Sequence, residues 1–375
     1  MYYFKNKDTI LATLNKIGDH FELIDLYVSL NITVLYMLRS NDALNNWIDN
    51  RQTPLSRPYT MDLLKQAGIK SRVGFVDISK CLSVTDTLWI TNKNEKWKEV
   101  SLFQNSFTKA YTDIASGFKG FNGRPLKSPS PELGVDGNSR KCFKRYNNDI
   151  YLYKTSGGLA ELEYSGVYAE YFSSQLLSAL GINQKYYTTY DIVKYNETLW
   201  SKCKLFTNEN IGLIAVENIF GDFEHLEEHI LHYTDIQLNL FRLLMLVDCL
   251  LLNVDRHGEN ISFTYDNNTL QLLSLSPIYD FDHSLFYDVS LLNRSTDYIV
   301  EKVLCKFPRT YHSKLFIDQF RYCLTNDFYN RIKQLYDYNF QFKNHKLYPM
   351  DSERLILINK VFRWHLKQLL GGSYE

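Results

Sequence analysis

The sequence has no surplus of charge of either sign. Lysine and arginine together number 42, and so do aspartate and glutamate, which gives a formal net charge of +0. A balanced chain offers no support for a large nonspecific nucleic-acid surface, although a local basic patch is compatible with it. We therefore expect direct nucleic-acid binding to be absent.

The sequence also lacks closely spaced cysteine pairs. No two of its cysteines form a Cys-x-x-Cys pair, which weighs against a structural zinc site. Scattered single thiols are typical of a reduced, cytoplasmic protein without a disulfide framework. The cysteines are Cys81, Cys142, Cys203, Cys249, Cys305 and Cys323.

Long apolar runs are missing as well. The most apolar window, residues 238–252, contains Arg242 and Asp248. It is shorter than the ~20 residues that a membrane-spanning helix needs, so it predicts a buried core helix. Residues 1–8 show no basic segment followed by an apolar run, and we expect no signal peptide there.

What is present is enough apolar sequence for more than one core. The chain has 375 residues, 45% of them hydrophobic, and a domain size of about 150 residues suggests two or three units. Residues 96–206 contain strand-like segments, including 150–154 and a hairpin at 186–206. Helical spacing marks residues 164–180 and dominates residues 207–375, with helices predicted at 223–233, 235–252, 315–336 and 352–370.

Residues 1–95 are expected to form a small mixed N-terminal domain of unknown role. Helical patterns at 43–51 and 60–68 are separated by two prolines, which is compatible with a helix-turn-helix. Lysine and arginine do not cluster on either helix, so a packing or partner-binding unit is favoured over a DNA-binding one.

An acid, an amide and a second acid follow one another on short predicted loops. Asp255 ends an apolar run, Asn260 comes five residues later, and Asp280 follows an apolar segment further along. This order suits phosphoryl transfer with Mg²⁺, in which the first acid accepts the substrate hydroxyl proton and the other two hold metal. Carboxylate and amide oxygens are ligands that such a hard cation prefers.

Residues 253–260 read Asn-Val-Asp-Arg-His-Gly-Glu-Asn, and residues 279–280 read Tyr-Asp. This combination resembles the catalytic core of the HipA-like serine/threonine protein kinases and, more distantly, of phosphatidylinositol kinases. The resemblance covers roughly residues 120–370. It implies an α+β, two-lobed protein-kinase-like fold with an antiparallel-sheet N-lobe at 96–206 and a helical C-lobe at 207–375, preceded by the small N-terminal domain.

The resemblance also suggests where ATP would bind. The glycine-containing loop at residues 134–141 precedes a predicted strand, as a phosphate-binding loop would. Lys154 on that strand is the candidate phosphate-pairing lysine, and Glu170 its candidate partner. Exposed lysine and glutamate roles stay open, as do Glu161 and Glu163 as alternative partners. The candidate nucleotide-binding residues are Gly137, Asn138, Ser139, Lys141, Lys154, Glu170 and Phe206.

Several assignments stay open. Asp282 is an alternative to Asp280 as metal ligand, and a structural role on the loops is favoured for His257. HipA-like kinases often carry a serine in the phosphate loop whose autophosphorylation inactivates them. Gly134 takes that place here, which leaves Ser128, Ser130 and Ser139 as alternatives. Three prolines at 124–131 predict an exposed, extended segment around Ser130.

We therefore expect an ATP- and Mg²⁺-dependent phosphotransferase with a protein substrate. The resemblance implies a toxin-like action on a component of translation, checked by an antitoxin partner. The alternatives are a non-catalytic kinase-fold module that binds nucleotide or a partner, and a lipid kinase. The lipid kinase is disfavoured because no polybasic run indicates a membrane-facing surface.

Overall fold

The computed structural model describes residues 1–29, 32–156, 164–221, 235–289, 295, 298, 301–302, 315–342, 350 and 352–371. The chain divides into two compact units. The first comprises Met1–Thr155, Lys194–Ile214 and Phe263–Ser274, and the second comprises Ser156–Val193, Ala215–Ser262 and Leu275–Glu375. The predicted helix at 223–233 lies outside the described residues. The predicted domain boundaries after residues 95 and 206 stay predictions.

The first unit begins with a sheet that the sequence did not indicate. Strands β1 (Tyr2–Asn6), β2 (Thr9–Ile17), β3 (His20–Leu26) and β4 (Leu88–Thr91) form an antiparallel sheet in the order β3-β2-β1-β4. One face of this sheet contributes the buried side chains of Phe4, Leu14 and Ile90, and Trp89 is buried on the opposite face. After β3, the chain forms a short 3₁₀ helix, Thr33–Leu38.

Short helices lie between β3 and β4 and after β4. The predicted helices at 43–51 and 60–68 are confirmed as α1 and α2, and Gly68 ends α2 with a left-handed φ of 77°. The helices of this part of the chain are α1 (Asn41–Asn50), α2 (Thr60–Ala67), α3 (Arg72–Ser79), α4 (Trp97–Val100) and α5 (Lys109–Ala115).

Two further sheets carry the remaining strands. The first has the order β5-β6-β8-β7, and its last two neighbours are the predicted hairpin. Lys141 of β5 lies opposite Lys154 of β6 in the antiparallel register. The second sheet has the order β11-β10-β9. The strands are β5 (Arg140–Tyr146), β6 (Asp149–Thr155), β7 (Tyr190–Tyr195), β8 (Thr198–Lys204), β9 (Ile211–Ala215), β10 (Ser262–Asp266) and β11 (Leu272–Leu275).

One apolar cluster joins the N-terminal elements to the β5–β6 hairpin. Trp89 of β4 and Trp97 of α4 pack in the same cluster as Phe143 of β5 and Ile150 of β6. Burying such large side chains contributes roughly 1.5–3 kcal/mol each. Residues on both sides of position 95 therefore share a core.

The second unit is mostly helical. Its described helices are α6 (Ser165–Ala179), α7 (Val216–Phe220), α8 (Asp235–Leu251), α9 (Phe316–Cys323), α10 (Asn326–Lys333) and α11 (Ser352–Leu369). The helical region predicted at 315–336 contains two helices, because the chain is extended at Leu324 and Thr325 between α9 and α10. The Thr325 side chain accepts a hydrogen bond from the backbone N–H of Phe328 and caps α10.

Helix α8 is the central helix of this unit. The side chain of Gln319 on α9 donates to the carbonyl of Met245 at 3.1 Å, and Nε2 of His365 on α11 lies 2.8 Å from the carbonyl oxygen of Cys249. Burial lowers the pKa of His365 to about 4. An uncharged imidazole between packed helices indicates a core histidine.

The predicted α+β class is confirmed: the sheets belong mainly to the first unit and the long helices to the second. None of the described helices combines the length and apolar character needed to cross a bilayer.

The proline-rich segment is not exposed throughout, as the sequence suggested. Ser130 is only 2% exposed, and its hydroxyl donates to the carboxylate of Glu132, which is itself fully buried. The same carboxylate accepts from the N–H of Phe143 at 3.1 Å and from the hydroxyl of Thr112 at 3.2 Å. Burial raises the pKa of Glu132. In this conformation Ser130 is inaccessible to phosphorylation.

Glu132→Ala is expected to lower the free energy of unfolding by at least about 2 kcal/mol, because it leaves the buried N–H of Phe143 and the buried hydroxyl of Ser130 without their acceptor. Glu132→Gln keeps an acceptor oxygen and carries no charge, so we expect it to cost less. Urea denaturation of both variants beside the wild type measures the difference. Equal losses for the two variants would contradict this assignment.

The difference in stability between the wild type and Glu132→Gln should depend on pH. Because the folded-state pKa of Glu132 is raised, the native state binds more protons than the unfolded state above the unfolded pKa of about 4.3. The stability of the wild type relative to Glu132→Gln should therefore fall as the pH rises from that value through the raised pKa. A difference that stays constant between pH 4 and pH 8 would be incompatible with this sign.

Candidate active site

Asn253 turns the chain at the end of α8. After α8, Leu252 adopts a left-handed φ of 55°. The N–H of Asn253 donates to the carbonyl of Asp248 at 2.9 Å, and its Nδ2 donates to the Asp248 carboxylate at 2.8 Å. The Asn253 side-chain oxygen accepts from the N–H of Asp255 at 3.2 Å. Residues 253–255 are therefore bonded to the last turns of a buried helix.

Arg256 and Asp248 form a buried, two-point ion pair. Nε and Nη2 of Arg256 lie 2.9 and 3.1 Å from the two Asp248 carboxylate oxygens. Both side chains are 0% exposed. Burial by itself would lower the pKa of Arg256, but the charge and hydrogen bonds of Asp248 outweigh it and hold that pKa above its ordinary value. The guanidinium is thus a permanent cation in a dry site.

The remaining face of Arg256 connects two loops. Its Nη1 donates to the carbonyl of Asn260 at 3.0 Å and to the carbonyl of Tyr279 at 2.6 Å. Its guanidinium also lies 5.0 Å from the ring centroid of Phe281. One side chain therefore fixes the backbone of Asn260 and of the residue just before Asp280. Arg256 therefore makes both an ion pair and backbone contacts.

The structure brings Asp255 and Asn260 together. Nδ2 of Asn260 donates to the backbone carbonyl of Asp255 at 3.0 Å. Because Nδ2 donates this hydrogen bond, Oδ1 is the atom of the Asn260 carboxamide that can coordinate a metal ion.

Hydrogen bonds fix the backbone at Asp280 and the side chain of the preceding Tyr279. Its N–H donates to the hydroxyl of Tyr190 at 3.0 Å, and its backbone has a left-handed φ of 62°. The hydroxyl of the preceding Tyr279 lies 2.8 Å from Oγ of Ser262 and donates to the carbonyl of Glu259 at 3.2 Å. Burial raises the pKa of Tyr279 to about 12. The second acid follows a segment with a fixed backbone.

Sequence reasoning missed His283. Its Nδ1 lies 2.7 Å from Oδ2 of Asp255, whereas Nε2 of His257 lies 3.9 Å from the same oxygen. The His283 ring stacks on Tyr287 with centroids 4.3 Å apart. His283 follows Asp280 by three residues, and this short spacing was the signal that could have drawn attention to it. His257 lies beside Asp255 and 3.7 Å from Glu259.

Asp282 lies against the start of α6. A Cβ added at Gly166 would be 3.0 Å from both Cβ and the carbonyl oxygen of Asp282, and 2.9 Å from Oγ of Ser156. Glycine is therefore the residue that allows this close approach. Asp282 itself is half-buried, so it stays an alternative to Asp280 as the second acid.

The candidate pair Lys154 and Glu170 consists of two buried side chains. Lys154 is 7% exposed and lies in the first unit, while Glu170 is 2% exposed and lies in the second. The alternatives of an exposed strand-end lysine and a solvated glutamate are therefore wrong. Their predicted pairing stays a prediction, and Glu161 and Glu163 lie outside the described residues.

The predicted phosphate loop lies in the first unit. Gly137 has a left-handed φ of 87°, which explains the glycine. Nζ of Lys141 donates to the carbonyl of Asp136 at 2.5 Å, and the side-chain oxygen of Asn138 accepts from the Ser56 hydroxyl at 2.5 Å. Ser139 is half-buried at the end of the loop. These contacts give the loop a defined shape.

Phe206 follows β8 in the first unit and is half-buried. The residue directly before it, Leu205, connects the chain to β6, because its N–H donates to the carbonyl of Ile150 at 2.9 Å. The adenine contact expected at Phe206 stays a prediction.

The donor set suits magnesium better than a transition metal. Within the described ranges, no group of three or more His, Cys, Asp or Glu side chains could hold a metal ion. A Mg²⁺ ion typically uses one or two protein oxygens together with water and substrate phosphates. Oδ1 of Asn260 and the carboxylate of Asp280 fit that requirement.

A groove of about 800 Å³ lies beside Tyr190 within the second unit. Its walls are mainly tyrosines and uncharged polar side chains of α6 and of residues 337–341, with Asp337 among them. Tyr190 is shared between this groove and the hydrogen bond to the N–H of Asp280. The Asp280 loop is thus next to a polar groove.

Neither a protein-family model nor a curated protein matches the sequence. Two solved structures are similar to it. The proinflammatory kinase CtkA of Helicobacter pylori is 17% identical, with a TM-score of 0.43 over 63% of this chain and 90% of that chain. A chain from the complex of HipA, HipB and operator DNA of a Shewanella oneidensis MR-1 toxin–antitoxin system is 13% identical, with a TM-score of 0.49 over 99% of this chain and 98% of that chain.

Arg256→Gln is expected to lower the free energy of unfolding by about 3–5 kcal/mol, because it leaves the Asp248 carboxylate buried without its cation. The double variant Asp248→Asn/Arg256→Gln removes both charges, so we expect it to lose less than the single variant. Urea denaturation of the wild type, both single variants and the double variant measures the coupling.

Mn²⁺ affinity provides a second readout in the same four proteins. The double variant should still bind Mn²⁺ more weakly than the wild type, because the backbone of Asn260 and Tyr279 has lost its common donor. An Arg256→Gln protein as stable as the wild type, or a double variant with unchanged Mn²⁺ affinity, would contradict the role given to Arg256.

Proposed function

We propose that this protein is an ATP- and Mg²⁺-dependent serine/threonine protein kinase of the HipA-like kind. The observation that supports this most is the position of Arg256, whose Nη1 holds the carbonyl of Asn260 and the carbonyl that precedes Asp280. A buried guanidinium that joins those two loops accounts for the spacing of acid, amide and acid in the sequence. A loop-capping role for each residue alone does not.

Asp255 is the proposed base. It would accept the proton of a serine or threonine hydroxyl while the hydroxyl oxygen forms a bond to the γ-phosphorus of ATP. The bond from that phosphorus to the bridging oxygen of ADP breaks, so the products are phosphoprotein and ADP. His283, 2.7 Å from the Asp255 carboxylate, would hold that carboxylate in position.

Asn260 and Asp280 are the proposed metal ligands. These two residues would hold Mg²⁺, which would supply positive charge next to the phosphates. The protein's contribution is to hold the two ligand residues on loops whose backbones are already fixed. This reduces the ordering that substrate binding must supply.

The proposed nucleotide contacts belong to the first unit, and Glu170 of the second unit is the proposed partner of one of them. Gly137, Asn138, Ser139 and Lys141 would contact phosphates through loop N–H groups and charge. Lys154 would pair phosphates with Glu170 as its partner, and Phe206 would contact the adenine.

The HipA-like kind also suggests a wider role. We propose a toxin that modifies a component of translation in the cytoplasm and is restrained by an antitoxin partner. HipA and HipB occur together with operator DNA in the Shewanella complex. For this chain, a partner is a proposal to be tested by co-purification.

Asp255→Ala is expected to slow Mg²⁺-dependent ATP turnover by about 10²–10⁴-fold, the range typical of a lost general base. ATP affinity should change little, because Asp255 is not among the proposed phosphate or metal contacts. Asp280→Ala should lower both turnover and Mg²⁺-dependent ATP affinity. Turnover and calorimetric binding are measured on the same preparations.

Glu259→Gln is the matched control, since Glu259 lies on the same loop with its side chain 55% exposed. We expect near wild-type turnover from it. Equal turnover by the wild type and Asp255→Ala, with ATP still bound, would favour the non-catalytic binding module. A larger loss of metal-dependent affinity in Asp282→Asn than in Asp280→Asn would move the ligand role to Asp282.

A further inference from the structure

The segment between α1 and α2 contacts the candidate phosphate loop directly. The hydroxyl of Thr53 donates to the carbonyl of Glu132 at 2.6 Å and lies 3.3 Å from that of Val135. The hydroxyl of Ser56 donates to the side chain of Asn138 at 2.5 Å. The N-terminal residues therefore contact the loop both near its start, at Val135, and in its second half, at Asn138.

Arg57 makes the central contacts. Its Nε donates to the carbonyl of Gly137 at 2.8 Å. Its Nη2 donates to the carbonyls of Val135 at 2.8 Å and Asp136 at 2.5 Å, and also to that of Gly137. Three successive carbonyl groups thus point toward one guanidinium.

The Arg57 guanidinium is buried without a carboxylate contact. The residue is 3% exposed, and no salt bridge to it is found among the residues that the structure describes. Burial lowers the pKa of Arg57 to about 10, with Asp136 acting in the opposite direction. Its Nη1 has no hydrogen bond within the described ranges. This cation therefore lies in an environment that an anion would stabilise.

Peptide geometry fixes where the neighbouring N–H groups point. A trans peptide unit is planar, and its C=O and N–H are on opposite sides. Because the carbonyls of residues 135, 136 and 137 face Arg57, the N–H groups of Asp136, Gly137 and Asn138 point away from it. None of these three N–H groups has a hydrogen-bond partner in the described part of the chain.

We propose that Arg57 is a positioning residue that aligns the N–H groups of Asp136, Gly137 and Asn138 into an anion site for the polyphosphate of the nucleotide. This inference rests on the proposed function for its ligand. It gives the N-terminal segment a role in shaping the phosphate loop. Unpaired backbone N–H groups of successive loop residues are a known way to bind phosphate oxygens.

The test uses the full chain and inorganic tripolyphosphate as the probe. In the wild type, tripolyphosphate should shift the ¹⁵N–¹H amide resonances of Asp136, Gly137 and Asn138. In Arg57→Gln, these shifts should be lost and the affinity for tripolyphosphate should fall at least about tenfold, since the amide groups are no longer aligned. Adenosine, which has no phosphate, should bind both proteins equally.

Arg145→Gln is the matched control. Arg145 is also a partly buried arginine of the first unit that donates to backbone carbonyls, those of Leu102 and Asn105, but to none in the phosphate loop. It should bind tripolyphosphate as the wild type does. If Arg57→Gln unfolds, Arg57→Lys decides the question, because lysine keeps the charge but cannot bridge three carbonyls. Its affinity should fall by a similar factor.

The proposal is overturned if the wild-type amides do not shift or if Arg57→Lys retains wild-type affinity and shifts. Failure of the proposed function is a different result. In that case tripolyphosphate binds and shifts the amides in an Arg57-dependent manner, yet the wild type transfers no phosphoryl group from ATP.

Discussion

A dry ion pair between Arg256 and Asp248 determines the arrangement of the candidate active site. Removing both charges from water costs several kcal/mol, and the pair is tolerated only because every donor has a well-placed acceptor. Two of those acceptors are the Asp248 oxygens, and the others are carbonyls on two separate loops. The same contacts that satisfy the buried charge therefore fix the backbone at Asn260 and at the residue directly before Asp280.

The first unit also contains a buried arginine that donates to backbone carbonyls. Arg57 also directs a buried guanidinium at successive carbonyls, but it has no carboxylate partner comparable to Asp248 within the described residues. Arginine suits both positions because its planar fork offers five donors in fixed directions, which lysine cannot reproduce. The difference in partners means that Arg256 is electrostatically complete, whereas Arg57 contributes positive charge to the loop it supports.

Local patterns in the sequence predicted the elements that depend on local signals. The short spacing of Asp255 and Asn260, the helices α1, α2, α6 and α8, and the β7–β8 hairpin all follow from neighbouring residues. Features that depend on contacts between residues far apart in the sequence were missed or were predicted incorrectly. Ser130 is buried because Glu132 is bonded to α5 and β5, Arg57 meets a loop about eighty residues later, and His283 reaches Asp255 only through the fold. Periodicity carries no information about such pairings.

The most direct measurement is the anomalous diffraction of Mn²⁺ in crystals grown with a non-hydrolysable ATP analogue. The account predicts a manganese peak about 2.0–2.3 Å from both Oδ1 of Asn260 and a carboxylate oxygen of Asp280, a distance set by oxygen ligands of small divalent cations. In Arg256→Gln the peak should weaken or disappear. A peak bound elsewhere in the wild type, with Asn260 and Asp280 turned away from it, would contradict the central claim.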